Sequence, residues 1–139
     1  MNSEEIIRAA RESVVLFDMS SRGRLEVRGS DGVRWLDGMI SGDVEALASG
    51  ADGSGCYAML LTSRGAIVAD LHVGRLGEVF TLESLASEIP KIRATLEKFI
   101  IADDVELIEV GDSERVLGLE GPRAPAILSQ ALKSDSSGD

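Results

Sequence analysis

The chain has 139 residues, 44% of them hydrophobic, which is enough for one compact unit with a substantial core. It carries 24 acidic and 14 basic residues, and the net charge of −10 argues against binding to nucleic acid. Cys56 and His72 are the only cysteine and histidine, so one chain can form neither an internal disulfide nor a Cys/His metal cluster. No apolar run approaches the roughly 20 residues that cross a bilayer, and the acidic N-terminus is unlike a signal peptide. We therefore expect a soluble, cytoplasmic protein without membrane contact.

The N-terminal residues predict a helix followed by strands. Residues 3–12 place apolar side chains on one helical stripe, with Ser3 as the expected N-cap and two glutamates in the first turn. Residues 14–17 are an apolar run. Residues 25–28 alternate between apolar and charged side chains, as a half-buried strand does.

A second helix is expected to begin at Ser30 or Asp31, because either side chain can cap it and apolar residues follow at helical spacing. Trp35 lies beside this apolar stripe and is predicted to be a core or interface residue. The glycine-rich residues 47–55 predict a loop or the junction between two subregions.

Three consecutive segments predict an antiparallel meander. Residues 56–62 and 67–76 are strongly apolar, and Gly65 in the turn between them is free to take a positive φ. A second turn leads into a third strand over residues 79–82.

The rest of the chain continues this mixture of short strands and helices. Residues 89–99 predict a helix that packs on the sheet, with Pro90 in its first turn, and a further strand is predicted from residue 105 to near residues 111–112. A last strand over residues 116–119 and a helix over residues 124–132 precede a polar tail, residues 134–139, that we expect to be frayed. Because helices and strands do not alternate strictly, the pattern predicts an α+β fold, mainly an antiparallel sheet with flanking helices.

Asp70 interrupts an apolar strand and shares one face of it with His72. Two interpretations stay open. In the first, both residues lie on a solvated sheet face, or pair with Arg64 or Arg75. In the second, Asp70 is a ligand-facing acid that holds or protonates an amine nitrogen, because partial burial raises the pKa of a carboxyl group toward the useful range.

Other chemically suggestive residues have ordinary explanations. Asp103 and Asp104 are adjacent, so in a strand they point to opposite faces, and they predict a helix-to-strand turn rather than a metal pair. Cys56 opens an apolar run and is expected to be packed rather than reactive. The sequence contains no nucleophile triad, Walker loop or CxxC pair.

Four segments carry a family resemblance by their order and spacing. They are residues 11–44 (RESVVLFDMSSRGRLEVRGSDGVRWLDGMISGDV), 56–76 (CYAMLLTSRGAIVADLHVGRL), 91–107 (KIRATLEKFIIADDVEL) and 116–124 (VLGLEGPRA). Together they resemble the N-terminal part of the T-protein superfamily, which includes the aminomethyltransferase of the glycine-cleavage system and the YgfZ-like proteins that support iron–sulfur enzymes. Within the first segment, residues 16–29 (LFDMSSRGRLEVRG) are more similar to the T-protein and to the folate domains of dimethylglycine and sarcosine dehydrogenases. Within the second, residues 60–73 (LLTSRGAIVADLHV) are more similar to the YgfZ-like branch, so the branches stay open.

The resemblance implies a folate-binding, aminomethyltransferase-like function with tetrahydrofolate as the cofactor. The family has a strand motif of paired glycines and paired aspartates, whose second aspartate meets the folate amine. That aspartate matches Asp70, as both a catalytic and a folate-binding residue. Ala69 replaces the first aspartate and Ala66 the second glycine, whereas Gly65 is retained, so enzyme activity stays open. The resemblance also implies three further folate-binding neighbours: Tyr57, Leu71 and Arg75.

Members of the superfamily have several hundred residues in three domains. By resemblance, residues 1–54 start the first domain, residues 55–113 are a second-domain-like sheet plus helix, and residues 114–133 are a return strand and helix. We expect a homo-oligomer, or a second chain that supplies the remaining domains, because half a cleft cannot enclose a ligand. A lipoyl-carrier protein is a further implied partner if the glycine-cleavage role holds. The alternative is a non-catalytic oligomerisation or assembly module of the YgfZ-like branch.

Overall fold

The computed structural model of the protein describes residues 1–111 and 115–135. Contacts divide the chain into two compact units. Unit 1 comprises Met1–Ser20 and Arg115–Asp139, and unit 2 comprises Ser21–Glu114.

Five helices and seven strands are described. In chain order they are α1 (Ser3–Glu12), β1 (Val15–Asp18), β2 (Arg22–Arg28), α2 (Gly32–Asp37), α3 (Val44–Ser49), β3 (Gly55–Leu61), β4 (Ile67–Leu76), β5 (Val79–Leu85), α4 (Ile89–Glu97), β6 (Glu106–Val110), β7 (Leu117–Glu120) and α5 (Ala124–Asp135). A short 3-10 turn, Ala86–Glu88, precedes α4. The mixture of antiparallel sheets and helices confirms the predicted α+β fold.

Unit 1 contains α1, α5 and a two-stranded antiparallel sheet. Strand β1 pairs with β7, with Val15 opposite Glu120. Helix α1 begins with a capping box, in which the Asn2 side chain accepts a hydrogen bond from the Glu5 backbone N–H and the Glu5 carboxylate accepts one from the Asn2 N–H. The predicted cap, Ser3, is therefore wrong by one residue, because asparagine is an equally good N-cap.

Unit 2 is built on a five-stranded antiparallel sheet in the order β3-β4-β5-β2-β6. The meander β3-β4-β5 has the predicted topology, and Gly65 in its first turn has the expected positive φ, 79°. Strand β5 extends to Leu85, three residues beyond the predicted end.

The core of unit 2 lies on one face of this sheet, where α2, α3 and α4 pack on it. Trp35 of α2 is 4% exposed, and its Nε1 donates a hydrogen bond to the backbone oxygen of Phe99 at 3.1 Å, so it is a core residue. The buried side chains alternate along each strand, which is the pattern that period-two burial produces. The largest fully buried apolar side chains are Leu25, Val27, Leu71, Val73, Phe80 and Leu82 from the strands and Leu36, Val44, Ile89, Ile92 and Leu96 from the helices.

Two predictions between β2 and β3 need correction. Helix α2 ends at Asp37, before the expected stripe is complete. The predicted loop over residues 47–55 is wrong at its start, because α3 runs to Ser49 with Leu47 buried. The Asp43 carboxylate caps α3 by accepting from the Ala46 N–H at 2.8 Å, a start signal that the glycines downstream obscured.

The boundaries between the compact units lie after residue 20 and after Glu114. Strand β2, α2 and α3 thus belong with the sheet of unit 2, although they fall in the expected 1–54 segment, because β2 pairs with both β5 and β6. The assignment of residues 1–54, 55–113 and 114–133 to domains of longer family members stays a prediction. Helix α5 continues to Asp135, and the rest of the tail predicted to be frayed lies outside the described residues.

Candidate functional site

The face of the unit 2 sheet opposite its core carries mainly polar side chains. Strand alternation directs these residues away from the core, and the described helices of this unit pack on the other face. We call this surface the polar face. It comprises Tyr57 and Met59 on β3, Asp70 and His72 on β4, Thr81 and Glu83 on β5, Arg22, Arg24 and Glu26 on β2, and Glu106 and Ile108 on β6.

Asp70 is exposed on the polar face and hydrogen-bonded to Tyr57. The Tyr57 hydroxyl donates to Asp70 Oδ2 at 3.2 Å. Tyr57 stands opposite His72 in the register of β3 and β4, so its ring reaches Asp70 diagonally. The partner of Asp70 is therefore a phenol, rather than Arg64 or Arg75. The hydrogen bond fixes one carboxylate oxygen and leaves acceptor capacity for a ligand.

The environment of Tyr57 raises the pKa of its phenol above the ordinary value of 10.0. Partial burial contributes most, followed by the negative charge of Asp70 and its hydrogen bond, while the positive charge of Arg22 acts in the opposite direction. Tyr57 consequently stays protonated at neutral pH and remains a donor to Asp70.

Three further residues, His72, Glu83 and Arg22, extend this cluster across the sheet. His72 stacks edge-on against Tyr57, with ring centroids 5.3 Å apart and ring planes at 64°. Glu83 lies opposite His72 in register, and its Oε1 accepts from Arg22 Nε at 3.0 Å. Sequence reasoning missed Glu83, because the predicted third strand stopped at residue 82. It missed Arg22 because residues 20–23 were predicted as a turn, whereas β2 begins at Arg22. Continuing the alternation by one residue would have placed Glu83 on the face of Asp70.

The structure separates the other two predicted folate-binding residues from this cluster. Leu71 is 0% exposed and faces the core, so only its backbone is available to a ligand on the polar face. The side chain of Arg75 donates to the Gly50 backbone oxygen at 2.9 Å and lies 3.7 Å from the Asp52 carboxylate. Arg75 also shares the strand parity of Leu71, which is opposite to that of Asp70. Of the predicted residues, the structure brings together Tyr57 and Asp70.

The two departures from the family motif lie in different surroundings. Ala69 is 7% exposed on the core face, opposite the buried Leu60. Ala66 is exposed in the turn, where its backbone oxygen accepts from Thr62 N at 2.8 Å. Ala69 therefore leaves the polar face unchanged, because a side chain at that position points into the core.

Asp103 and Asp104 join α4 to β6, as the predicted helix-to-strand turn requires. Asp104 accepts hydrogen bonds from the Ser30 backbone N–H and hydroxyl at 3.0 and 2.7 Å, and these two bonds lower the pKa of its carboxyl group. Asp103 pairs with Arg34 at 2.7 Å. Asp31 is the N-cap residue of α2, one of the two predicted starts, but its carboxylate accepts from the Asp104 N–H at 2.8 Å and makes no cap hydrogen bond. These aspartates tie the start of α2 to the start of β6.

Cys56 is half-buried and packs against the core, as predicted. Burial, followed by the charge of Asp43, raises the pKa of its thiol, which disfavours the reactive thiolate. Within residues 1–111 and 115–135, no group of three His, Cys, Asp or Glu side chains is arranged to hold a metal ion. The helices of the same residues are too short or too polar to span a bilayer.

The fold and this cluster define an α+β protein with a carboxylate–phenol pair on the exposed side of an antiparallel sheet. The family model described as the GCVT N-terminal domain matches residues 2–139, and the chain belongs to this family. The resemblance found in the sequence is confirmed.

Curated relatives carry the name aminomethyltransferase. The protein from Chloroherpeton thalassium is 36% identical over 124 residues, covering 88% of this chain and 33% of the relative. The protein from Anoxybacillus flavithermus is 34% identical over 130 residues, covering 93% of this chain and 35% of the relative.

A solved structure agrees with these sequence relatives. Glycine cleavage system aminomethyltransferase T from Bartonella henselae superposes with a TM-score of 0.76 at 30% identity, covering 89% of this chain and 33% of that one. The chain thus spans about a third of the length of the relatives it matches.

Proposed function

We propose that the chain binds tetrahydrofolate on the polar face and is the folate-binding part of an aminomethyltransferase-like protein. The observation that carries this proposal is the exposed Asp70 carboxylate, held by the Tyr57 hydroxyl at 3.2 Å. By the sequence resemblance, Asp70 matches the motif position whose aspartate meets the folate amine. Membership of the GCVT N-terminal domain family and the names of the relatives support the same activity.

The pair suits an amine-bearing ligand. An ionised carboxylate accepts hydrogen bonds from N–H groups and stabilises positive charge on a nitrogen. Tyr57 donates to Oδ2 and so limits the rotation of the Asp70 carboxylate, which orients its remaining lone pairs. Among the described residues Asp70 has no ion pair, so no protein cation competes with a ligand amine for it. Tetrahydrofolate, when bound, supplies the amine nitrogen that receives the one-carbon unit.

The departure at Ala69 is compatible with this role. Position 69 faces the core, so the family's first aspartate would not reach a ligand on the polar face of this chain. We infer that Asp70 carries the proton-handling and amine-orienting role by itself.

Unit 1 supports the expectation that another polypeptide completes the protein. The buried hydrophobic side chains of the described residues all lie between Leu25 and Leu107, outside unit 1. In its two-stranded sheet, Leu16 is 62% exposed and Leu117 is 60% exposed. A two-stranded sheet is only marginally stable by itself and needs further strands or helices to cover its apolar side chains. We propose that a second chain or a second copy supplies this cover, and that a complete glycine-cleavage assembly also involves a lipoyl-carrier protein.

Isothermal titration with tetrahydrofolate tests the ligand. We expect binding to the parent chain, and a loss of about tenfold or more in affinity for Asp70→Asn, because the amide keeps the shape but loses the charge. The matched control is Glu106→Gln, which removes the same charge from β6, three strands away on the polar face. The proposal would be refuted if the folded parent chain gave no heat of binding. It would also be refuted if Asp70→Asn and Glu106→Gln lost the same affinity for tetrahydrofolate.

Light scattering tests the second polypeptide. A concentration-dependent dimer favours a second copy. A second outcome is a monomer whose affinity for tetrahydrofolate rises only when a polypeptide matching the remaining two-thirds of the relatives is added. That result favours a second chain. A monomer that binds tetrahydrofolate fully by itself contradicts the need for either. The alternative of a non-catalytic YgfZ-like assembly module is not favoured, because the relatives matched above are named aminomethyltransferases.

A further inference from the structure

His72 lies inside the Tyr57–Asp70 cluster, and the proposed role of Asp70 does not use it. It is exposed, and it is the only histidine of the chain. Its ring contacts the Tyr57 ring edge-on, with centroids 5.3 Å apart. Histidine is the side chain whose charge ordinarily changes between pH 5 and 8. A charge that switches on and off beside a ligand-binding carboxylate changes the strength of that site.

Asp70 stands two residues before His72 on β4. The two side chains therefore share the polar face, at a Cα separation of about 6.6 Å. The Tyr57 hydroxyl donates to Asp70 Oδ2 while the Tyr57 ring contacts His72, so one phenol touches both residues. At this spacing a protonated imidazole attracts the Asp70 carboxylate, directly or through a bridging water.

The other carboxylate beside His72 is already matched by positive charge. Glu83 lies opposite His72 in the pairing of β4 with β5, and opposite Arg24 in the pairing of β5 with β2. Its Oε1 also accepts from Arg22 Nε at 3.0 Å. Asp70 accepts from a neutral phenol instead, so a positive charge on His72 acts chiefly on Asp70. Among the described residues, the titratable and charged groups that face His72 are Tyr57 on β3, Asp70 on β4, Glu83 on β5, and Arg22 and Arg24 on β2.

We propose that His72 makes ligand binding at Asp70 sensitive to pH, with the tighter binding when the imidazole is neutral. The protonated ring competes with the amine of the ligand for the Asp70 carboxylate, so ligand binding and protonation of His72 oppose each other. Affinity therefore rises with pH through the range in which histidine ordinarily titrates, around 6.5. This inference rests on the proposed function, because it concerns the regulation of the same site.

The effect should be modest, because His72 and Asp70 are both exposed. Exposed ion pairs are weak in water and change an affinity by about two- to fivefold. We expect the charge on His72 to lower the affinity for tetrahydrofolate about threefold at pH 5.5 relative to pH 8. Added salt should reduce this difference.

The test measures tetrahydrofolate affinity by isothermal titration at about pH 5.5 and about pH 8, on the full chain and on His72→Gln. Glutamine keeps a hydrogen-bonding side chain but takes up no proton in this range. Protonation of the ligand affects both proteins alike, so the contribution of His72 is the difference between their ratios of affinity at the two pH values. Glu106→Gln is the matched control, since it places the same residue on the polar face three strands away. His72→Thr, which suits a strand, repeats the test should His72→Gln fail to fold by circular dichroism.

We expect the affinity ratio between pH 8 and pH 5.5 to be about threefold larger for the parent and Glu106→Gln than for His72→Gln. Because His72 is the only histidine, one imidazole proton resonance reports its protonation in the same samples. Equal ratios in the parent and His72→Gln, tighter binding of the parent in acid, or an imidazole resonance that does not move between the two pH values would overturn the role of His72. The proposed function would stand in those cases if binding still depends on Asp70. If the folded parent chain binds no tetrahydrofolate at either pH, both proposals are overturned.

Discussion

Placing an aspartate at position 69 tests which side of β4 can carry a ligand-binding charge. The substitution Ala69→Asp restores the family's first aspartate. In this chain the site is 7% exposed and opposite Leu60, which is 2% exposed. Leu71 and Val73 share the same core face. We therefore expect the restored aspartate to destabilise the fold rather than improve the site.

The magnitude follows from burying a carboxylate without a partner. A buried, unpaired charge costs several kcal/mol, and burial raises the pKa of the carboxyl group above its unfolded value of roughly 3.9. The ionisation part of the cost is therefore absent below that pH, grows as the pH rises, and levels off above the folded-state pKa. At pH 7 we expect a loss of about 3 kcal/mol, a large share of the roughly 5–15 kcal/mol that stabilise a domain.

Urea unfolding at pH 4 and at pH 7 measures this loss directly. The control is Ala66→Asp, the same change three residues away in the exposed turn, which should cost less than about 0.5 kcal/mol at either pH. A loss below about 1 kcal/mol for Ala69→Asp, with no dependence on pH, would show that position 69 does not face the core.

Three further predictions concern Tyr57 and the turn that precedes α2. Tyr57 is the only tyrosine, so an ultraviolet titration reports its pKa alone. This pKa should lie above the ordinary value of 10.0. In Asp70→Asn it should fall only part of the way toward 10.0, because burial of Tyr57 is a larger cause of the shift than Asp70. Gly29→Ala should cost about 3 kcal/mol in urea unfolding, because φ is 115° and the added Cβ would stand 2.1 Å from the Asp104 backbone oxygen; an unchanged midpoint would contradict this. Hydrogen bonds from Ser30 lower the pKa of Asp104 from 3.8, so its stabilisation is present above pH 3.8 and lost as the pH falls through the folded-state value. The Tm difference between the parent and Asp104→Asn should therefore be largest near neutral pH and vanish in acid; a constant difference would contradict this.

Alternation along the strands was enough to predict the sheet and to place Asp70 and His72 on one face. Those positions follow from period-two geometry and need no knowledge of distant partners. The hydrogen-bond partner of Asp70 was harder to predict from the sequence, because the Tyr57 hydrogen bond depends on the register of β3 against β4. The family resemblance named Tyr57, whereas the residue pattern alone gave no reason to choose it.

What the sequence did not reveal depends on long-range pairing. Glu83 and Arg22 meet because β5 pairs with β2, a contact between residues 61 positions apart. Asp104 looked like one half of a generic turn, yet it binds Ser30, 74 residues earlier. The family resemblance implies Leu71 as a folate-binding neighbour, although adjacent strand residues face opposite sides and its side chain is buried in the core.

We propose that a folate-type ligand meets the polar face at Asp70. A titration of ¹⁵N-labelled protein with tetrahydrofolate, followed by amide chemical shifts, tests it most directly. Binding at Asp70 should concentrate the shift changes at Tyr57, Asp70 and His72. The same titration of Asp70→Asn should show no such changes. Shifts confined to α2, α3 and α4 on the opposite side of the sheet, or a spectrum that does not change, would contradict it.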